Sequence, residues 1–238
     1  MSIGFHYKFK LPVKDDSARL DLEKFTRDVN EVAVKACVNE DQIVLQRVNS
    51  VKQKLIDLYK RNLVKINHSV MEIVCAKHLI KYGYDIDVER QLSDILVCDI
   101  YATKGDGSFI VEIETGFTPP EHALDPLGYY ISRIASKISR YSQFSSKFAL
   151  ATPPVSVLPI PELFMKPPRN RKSAEIKKVK ELCDKYYKNP PISISEIQNA
   201  RLHSVYIINI DGANVTELDP ESYQELIKDL NARSGFQI

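Results

Sequence analysis

Two glutamates two residues apart, Glu112 and Glu114, stand in the otherwise apolar stretch Phe109–Thr115. In an extended strand they share one face with Ile110, while Phe109, Val111 and Ile113 take the other. Burying unpaired carboxylates is costly, so acids in such a strand call for a counter-charge. The preceding run Ile95–Ala102 is rich in β-branched and aromatic residues, and Lys104-Gly105-Asp106-Gly107 supplies the glycines of a tight hairpin turn. A turn centred on Gly105-Asp106 sets Asp99 opposite Glu112, and one centred on Asp106-Gly107 sets it opposite Glu114. Either register gathers the three acids on one face, and a one-residue bulge would separate them. Three carboxylates that close repel one another unless protons or a divalent cation neutralise them. Oxygen-only ligands suit Mg²⁺ or Mn²⁺.

Asp99, about a dozen residues, then Glu112-Ile113-Glu114 resembles the signature of the PD-(D/E)XK nuclease superfamily, with Cys98 where proline often stands. The third position, usually lysine, is Glu114, as in E-x-E variants, and the arrangement resembles archaeal Holliday-junction resolvases most. The match covers roughly residues 67–152. The resemblance implies a restriction-endonuclease-like α/β core, a mixed central sheet flanked by helices in the order α-β-β-β-α-β, with an N-terminal helical extension. It also implies Mg²⁺- or Mn²⁺-dependent hydrolysis of DNA. Asp99 and Glu112 would be metal ligands, the Ile113 carbonyl a third, and Glu114 would orient water or bind a second ion. Some members supply the missing lysine from the helix after the hairpin, where Lys137 is the first candidate and Arg140 the next. The resembled resolvases bring an early helical glutamate to the metal, a role that falls here on Glu72.

The elements that must position these groups follow from periodicity. Leu20–Val38 reads as a helix, with Leu22, Phe25, Val29 and Val32 at helical spacing. Asn39–Gln42 reads as a cap and its box partner. Val44, Val48, Val51, Leu55 and Leu58 then form a narrow apolar seam, either packed on its own domain or offered to a second copy or a substrate. Ser69–Tyr82 is a further helix in which Glu72 falls on the apolar side. It is either the partner of Ser69 in a capping box or a fourth acid facing the hairpin. Tyr84–Leu92 and Lys147–Thr152 read as strands around the hairpin. Leu127–Ser146 reads as a helix with an apolar face of Tyr130, Ile134, Ile138 and Tyr141. Its basic stripe of Arg133, Lys137 and Arg140 is either solvated or turned to the site and to DNA.

Pro159–Pro168 punctuates a connector that runs into the most basic part of the chain. There Lys166, Arg169, Arg171 and Lys172 are candidates for phosphate contacts that carry no sequence preference. Val205–Ile210 reads as a strand and Pro220–Ala232 as a helix. The expected organisation is a helical arm over residues 1–66, a nuclease-like domain over 67–238, and a basic insertion at 159–190.

Composition narrows the classes. The formal net charge is +2, so any nucleic-acid surface must arise from local clustering. Cys37, Cys75, Cys98 and Cys183 are isolated, which points to small buried residues in a reducing cytoplasm rather than to a zinc or iron–sulfur site. The chain shows no membrane-span-length apolar run, P-loop, HExxH or GxSxG, so no nucleotide cofactor and no membrane partner is expected. DNA and a second copy of the chain are the expected partners. The competing expectation is a nuclease-fold protein with weak or lost turnover that binds DNA or builds assemblies.

Overall fold

The computed structural model describes residues 14–234. Met1–Lys14 reads in the sequence as a short extended arm; all of it but Lys14, which opens α1, lies outside the described residues. The helices are α1 (Lys14–Ala36), α2 (Gln42–Lys60), α3 (Ile66–Lys81), α4 (Pro126–Tyr141), α5 (Ser173–Tyr186), α6 (Ile194–Asn199) and α7 (Pro220–Ser234). The strands are β1 (Asp85–Ser93), β2 (Leu96–Lys104), β3 (Gly107–Ile113), β4 (Lys147–Thr152), β5 (Ser204–Asn209) and β6 (Asn214–Leu218). They form one sheet in chain order. β1, β2 and β3 are antiparallel neighbours, β3, β4 and β5 run parallel, and β6 returns antiparallel at the edge. The protein is thus an α/β fold with a mixed six-stranded sheet.

Alternation along the strands supplies two apolar faces, and each needs a helical layer. Val88, Ile100, Ala102, Val111 and Ile113 pack with α1, α2 and α3. Ile110, Phe148, Leu150 and Val205 pack with α4, α5, α6 and α7. The helices of residues 1–66 therefore share a core with the sheet. The seam Val44, Val48, Val51, Leu55 and Leu58 is buried in that core. Its expected alternative use, as a surface for a second copy, is overturned because intrachain packing already covers it. Polar ties reinforce the attachment of α2 to β1: the Arg47 guanidinium lies 2.5 Å from Asp85 Oδ1, and Lys54 pairs with Asp87.

Two expected caps move. Asp41 caps α2, its carboxylate accepting from the Val44 amide at 2.8 Å, while Asn39 adopts a left-handed φ of 65° just before it. α3 begins at Ile66, so Ser69 lies inside the helix and makes no capping box with Glu72. All four cysteines are buried and unpaired.

The basic insertion needs a correction. Arg171, expected to meet phosphates, is 7% exposed. Its guanidinium donates to the carbonyls of Leu163, Lys166, Ile197 and Gln198 and lies over the Phe164 ring. It forms no ion pair among the described residues, and burial alone pushes its pKa down to about 10. It is an organising post of the connector, satisfying carbonyls that would otherwise be buried without donors. Arg171→Met is expected to cost about 3 kcal/mol by orphaning those acceptors. A melting curve should show a loss of roughly 6–12 °C, whereas a phosphate-contacting role would leave melting unchanged. Lys166 is engaged by Glu175, and Arg169 and Lys172 remain exposed.

Candidate active site

The β2–β3 hairpin turns on Gly105-Asp106, with Lys104 paired to Gly107 and Gly105 at a φ of 56° that favours glycine. This register sets Asp99 opposite Glu112. Regular pairing stops one step earlier, at Ile100 with Val111. Side chains replace the ladder there: the Asp99 amide donates to Glu112 Oε1 at 3.1 Å, and the Ile113 amide donates to Asp99 Oδ2 at 2.6 Å. The acids thus satisfy backbone groups that the parting strands leave free.

The gap admits groups from both helical layers. From α4, Lys137 Nζ reaches Glu114 Oε1 at 2.8 Å, Glu112 Oε2 at 3.0 Å and Asp99 Oδ2 at 3.6 Å, and donates to the Ile113 carbonyl at 3.1 Å. One helical turn earlier, Arg133 Nε donates to Glu114 Oε1 at 2.9 Å. From α3, His68 Nδ1 lies 3.6 Å from Asp99 Oδ1, and Glu72 follows His68 by four residues on the same helical face. The structure brings Asp99, Glu112, Glu114, Lys137, Glu72 and the Ile113 carbonyl together. Arg133 is close by but committed to Glu114. Arg140 is not at the site: it donates to the Pro190 carbonyl at 2.5 Å.

Sequence reasoning missed Glu89 and His68. Glu89, on β1, has a left-handed φ of 49° while the pairs on either side, Val88 with Ile100 and Arg90 with Cys98, keep an unbroken register. Such a conformation in a non-glycine residue costs about 1–3 kcal/mol and persists where its surroundings hold it. Carboxylate oxygens of Glu72, Glu89 and Asp99 lie within 4.8 Å of one another. The one available signal for His68 was its spacing of four from Glu72.

Charge is out of balance. Among the described residues, Asp99, Glu112, Glu114, Glu72 and Glu89 face Lys137 and Arg133 as fixed cations. Burial raises Glu72 well above the usual carboxyl range, and Asp99 and Glu89 add to the rise. Glu89 is raised to about 7, chiefly by burial and then by Asp99. Glu112 is raised to about 8, burial outweighing Lys137, which lowers it. Asp99 meets a burial penalty too, but Lys137, His68 and the Ile113 amide together hold it down at about 2. Burial opposes the charge of Lys137, yet Glu112, Asp99 and Glu114 keep its pKa high.

These shifts set a stability profile. Glu72, Glu89 and Glu112 keep protons in the folded protein that the unfolded chain releases near 4.5. The stability they allow is fully present below that pH and is lost as pH rises, through about 7 for Glu89 and about 8 for Glu112. Asp99 acts oppositely, and its contribution is lost as pH falls from 3.8 towards 2. In EDTA, the melting temperature is therefore expected to fall between pH 5 and pH 8. Glu72→Gln should raise it at pH 8 by about 3 °C or more, equivalent to roughly 1 kcal/mol. A lower melting temperature for Glu72→Gln at pH 8 would contradict this charge balance.

Whether these residues suit a divalent cation can be judged from Glu72. It is completely buried, and apart from the neighbouring carboxyl of Glu89 no donor among the described residues reaches its carboxyl oxygens. Hard oxygen donors on three elements, one of them a fully buried carboxylate, fit Mg²⁺ or Mn²⁺.

No protein-family model matches the chain, and no curated protein does. Among solved structures, a chain of the CdiA-CT/CdiI toxin and immunity complex from Burkholderia pseudomallei is similar over 65% of this chain and 86% of that one, at 17% identity and a TM-score of 0.27. A likeness that slight carries no functional argument.

Proposed function

We propose that the chain is a divalent-cation-dependent endonuclease that hydrolyses DNA phosphodiester bonds, on a core of the PD-(D/E)XK type. The observation that carries this reading is Lys137. Its ammonium lies within 2.8–3.6 Å of Asp99, Glu112 and Glu114 although it comes from a different element than the motif lysine it would replace. Acids on two adjoining strands and a lysine converging on one gap make a site suited to phosphoryl chemistry. Cation ligands would come from the acids that surround Asp99. When bound, a divalent cation supplies positive charge for the scissile phosphate and for the leaving oxygen. Lys137 presents a fixed ammonium that orients the attacking water and faces the phosphate. Glu114, held by Arg133, sets the position of Lys137. The buried walls around Glu112 and Glu114 exclude bulk water and strengthen each of these interactions.

Cutting both strands with one site per chain calls for two copies, and the protein is expected to act as a homodimer on DNA. Plasmid, linear and four-way-junction DNA incubated with Mg²⁺, Mn²⁺ or EDTA test the activity and the preference for branched DNA together. Cation-dependent cutting that EDTA abolishes is expected. Retention of DNA without cutting under every cation would replace this reading with that of a nuclease-fold binding protein.

A further inference from the structure

The site contains two places where negative charge converges, and a cation of the protein's own fills only one of them. On the α4 side, Asp99, Glu112, Glu114 and the Ile113 carbonyl all meet Lys137 Nζ. On the α3 side, Glu72, Glu89 and Asp99 bring carboxylate oxygens within 4.8 Å of one another, and among the described residues the fully buried Glu72 has no donor from outside this cluster. Ligands around one Mg²⁺, each at roughly 2.0–2.1 Å from it, stand at most about 4.2 Å apart. The 4.8 Å span of the oxygens on the α3 side is slightly wider, so a small rotation of the side chains closes them into a single coordination sphere.

We propose that the cation of this chain is seated by Glu72, Glu89 and Asp99, with Lys137 holding the place on the α4 side that the nuclease motif would give to the ion. The inference rests on the nuclease reading only for what the cation is used for. Glu89 then becomes a ligand, and Glu112 becomes a partner of Lys137 and of the Asp99 amide rather than a ligand. Asp99 joins the two halves: Oδ2 accepts from the Ile113 amide and faces Lys137, while Oδ1 faces His68 on α3. The preference for hard divalent ions follows from an all-carboxylate donor set.

The test is Mn²⁺ binding to the full chain, followed by loss of the free-ion electron paramagnetic resonance signal, with circular dichroism melts to show that each variant is folded. Glu89→Gln and Glu72→Gln are each expected to weaken Mn²⁺ binding by about tenfold or more, and Glu112→Gln by less than about threefold. Loss of binding in Glu112→Gln with retention in Glu89→Gln would overturn the proposal, as would absence of Mn²⁺ binding by the wild-type chain at millimolar concentration. The two readings fail separately. Binding in this pattern without DNA cutting would sink the nuclease reading and leave the seat standing. Metal-dependent cutting with Glu89→Gln binding as the wild type does would sink the seat and leave the nuclease.

Discussion

Asp99→Asn is expected to slow Mg²⁺-dependent DNA cleavage by at least about a thousandfold, equivalent to roughly 4 kcal/mol of transition-state stabilisation. The substitution keeps the shape of the side chain and an oxygen that can accept from the Ile113 amide, so the parted end of the β2–β3 ladder stays satisfied. It removes a carboxylate that lies 3.6 Å from both His68 Nδ1 and Lys137 Nζ and that also shares the cluster with Glu72 and Glu89. Without that charge the two halves of the site lose their common element. Single-turnover cleavage under saturating Mg²⁺ reads the effect on chemistry directly. Cleavage within tenfold of wild type would remove Asp99 from the mechanism.

Lys137→Met is expected to lower single-turnover cleavage by about a hundredfold or more, within the range for loss of a positioned proton donor or acceptor. It also leaves Glu112 and Glu114 buried beside Asp99 with Arg133 as the remaining fixed cation, so a stability loss of about 3–5 kcal/mol is expected in EDTA. Activity must therefore be compared at a temperature where circular dichroism shows both proteins folded. A charge exchange separates the two effects. In Glu114→Lys/Lys137→Glu the pair is kept and the lysine returns to the strand position of the motif. That double variant is expected to recover at least about tenfold over Lys137→Met. Stability regained with no gain in cleavage would make Lys137 a structural counter-ion only.

The hairpin and its acids were legible because they depend on local rules. Glycines fix the turn, the turn fixes the register, and the period of two then gathers Asp99 and Glu112 on one face. Lys137 was legible as a candidate on its helix, but its contact with three acids depends on how α4 crosses the sheet. Glu89 was hidden for a different reason. The strand Asp85–Ser93 carries acids at 85, 87 and 89, and alternation gives all three the same solvated character. Asp85 and Asp87 do pair with α2 near the surface, whereas Glu89 departs from the pattern through its left-handed φ and joins the buried cluster. A local backbone departure of that kind leaves no trace in hydrophobic periodicity.

Arg171 shows the converse. In sequence it belongs to a solvated basic run, and only the packing of the connector against α6 gives it four carbonyls to serve. β6 and α6 were not anticipated either. Both are short, and β6 is mostly exposed, so neither carries a strong apolar period. The Val44–Leu58 seam reads equally well as an interface between copies or as a core stripe, because burial against one's own chain and against another chain make the same demand on sequence.

The central claim is that carboxylates around Asp99 hold a hard cation. Anomalous diffraction from crystals grown in saturating Mn²⁺ tests it most directly. An anomalous peak within about 2.5 Å of an Asp99 carboxylate oxygen is the expected result. A map with no such peak, and with Lys137 and Arg133 as the positive charges against Asp99, Glu112 and Glu114, would contradict it.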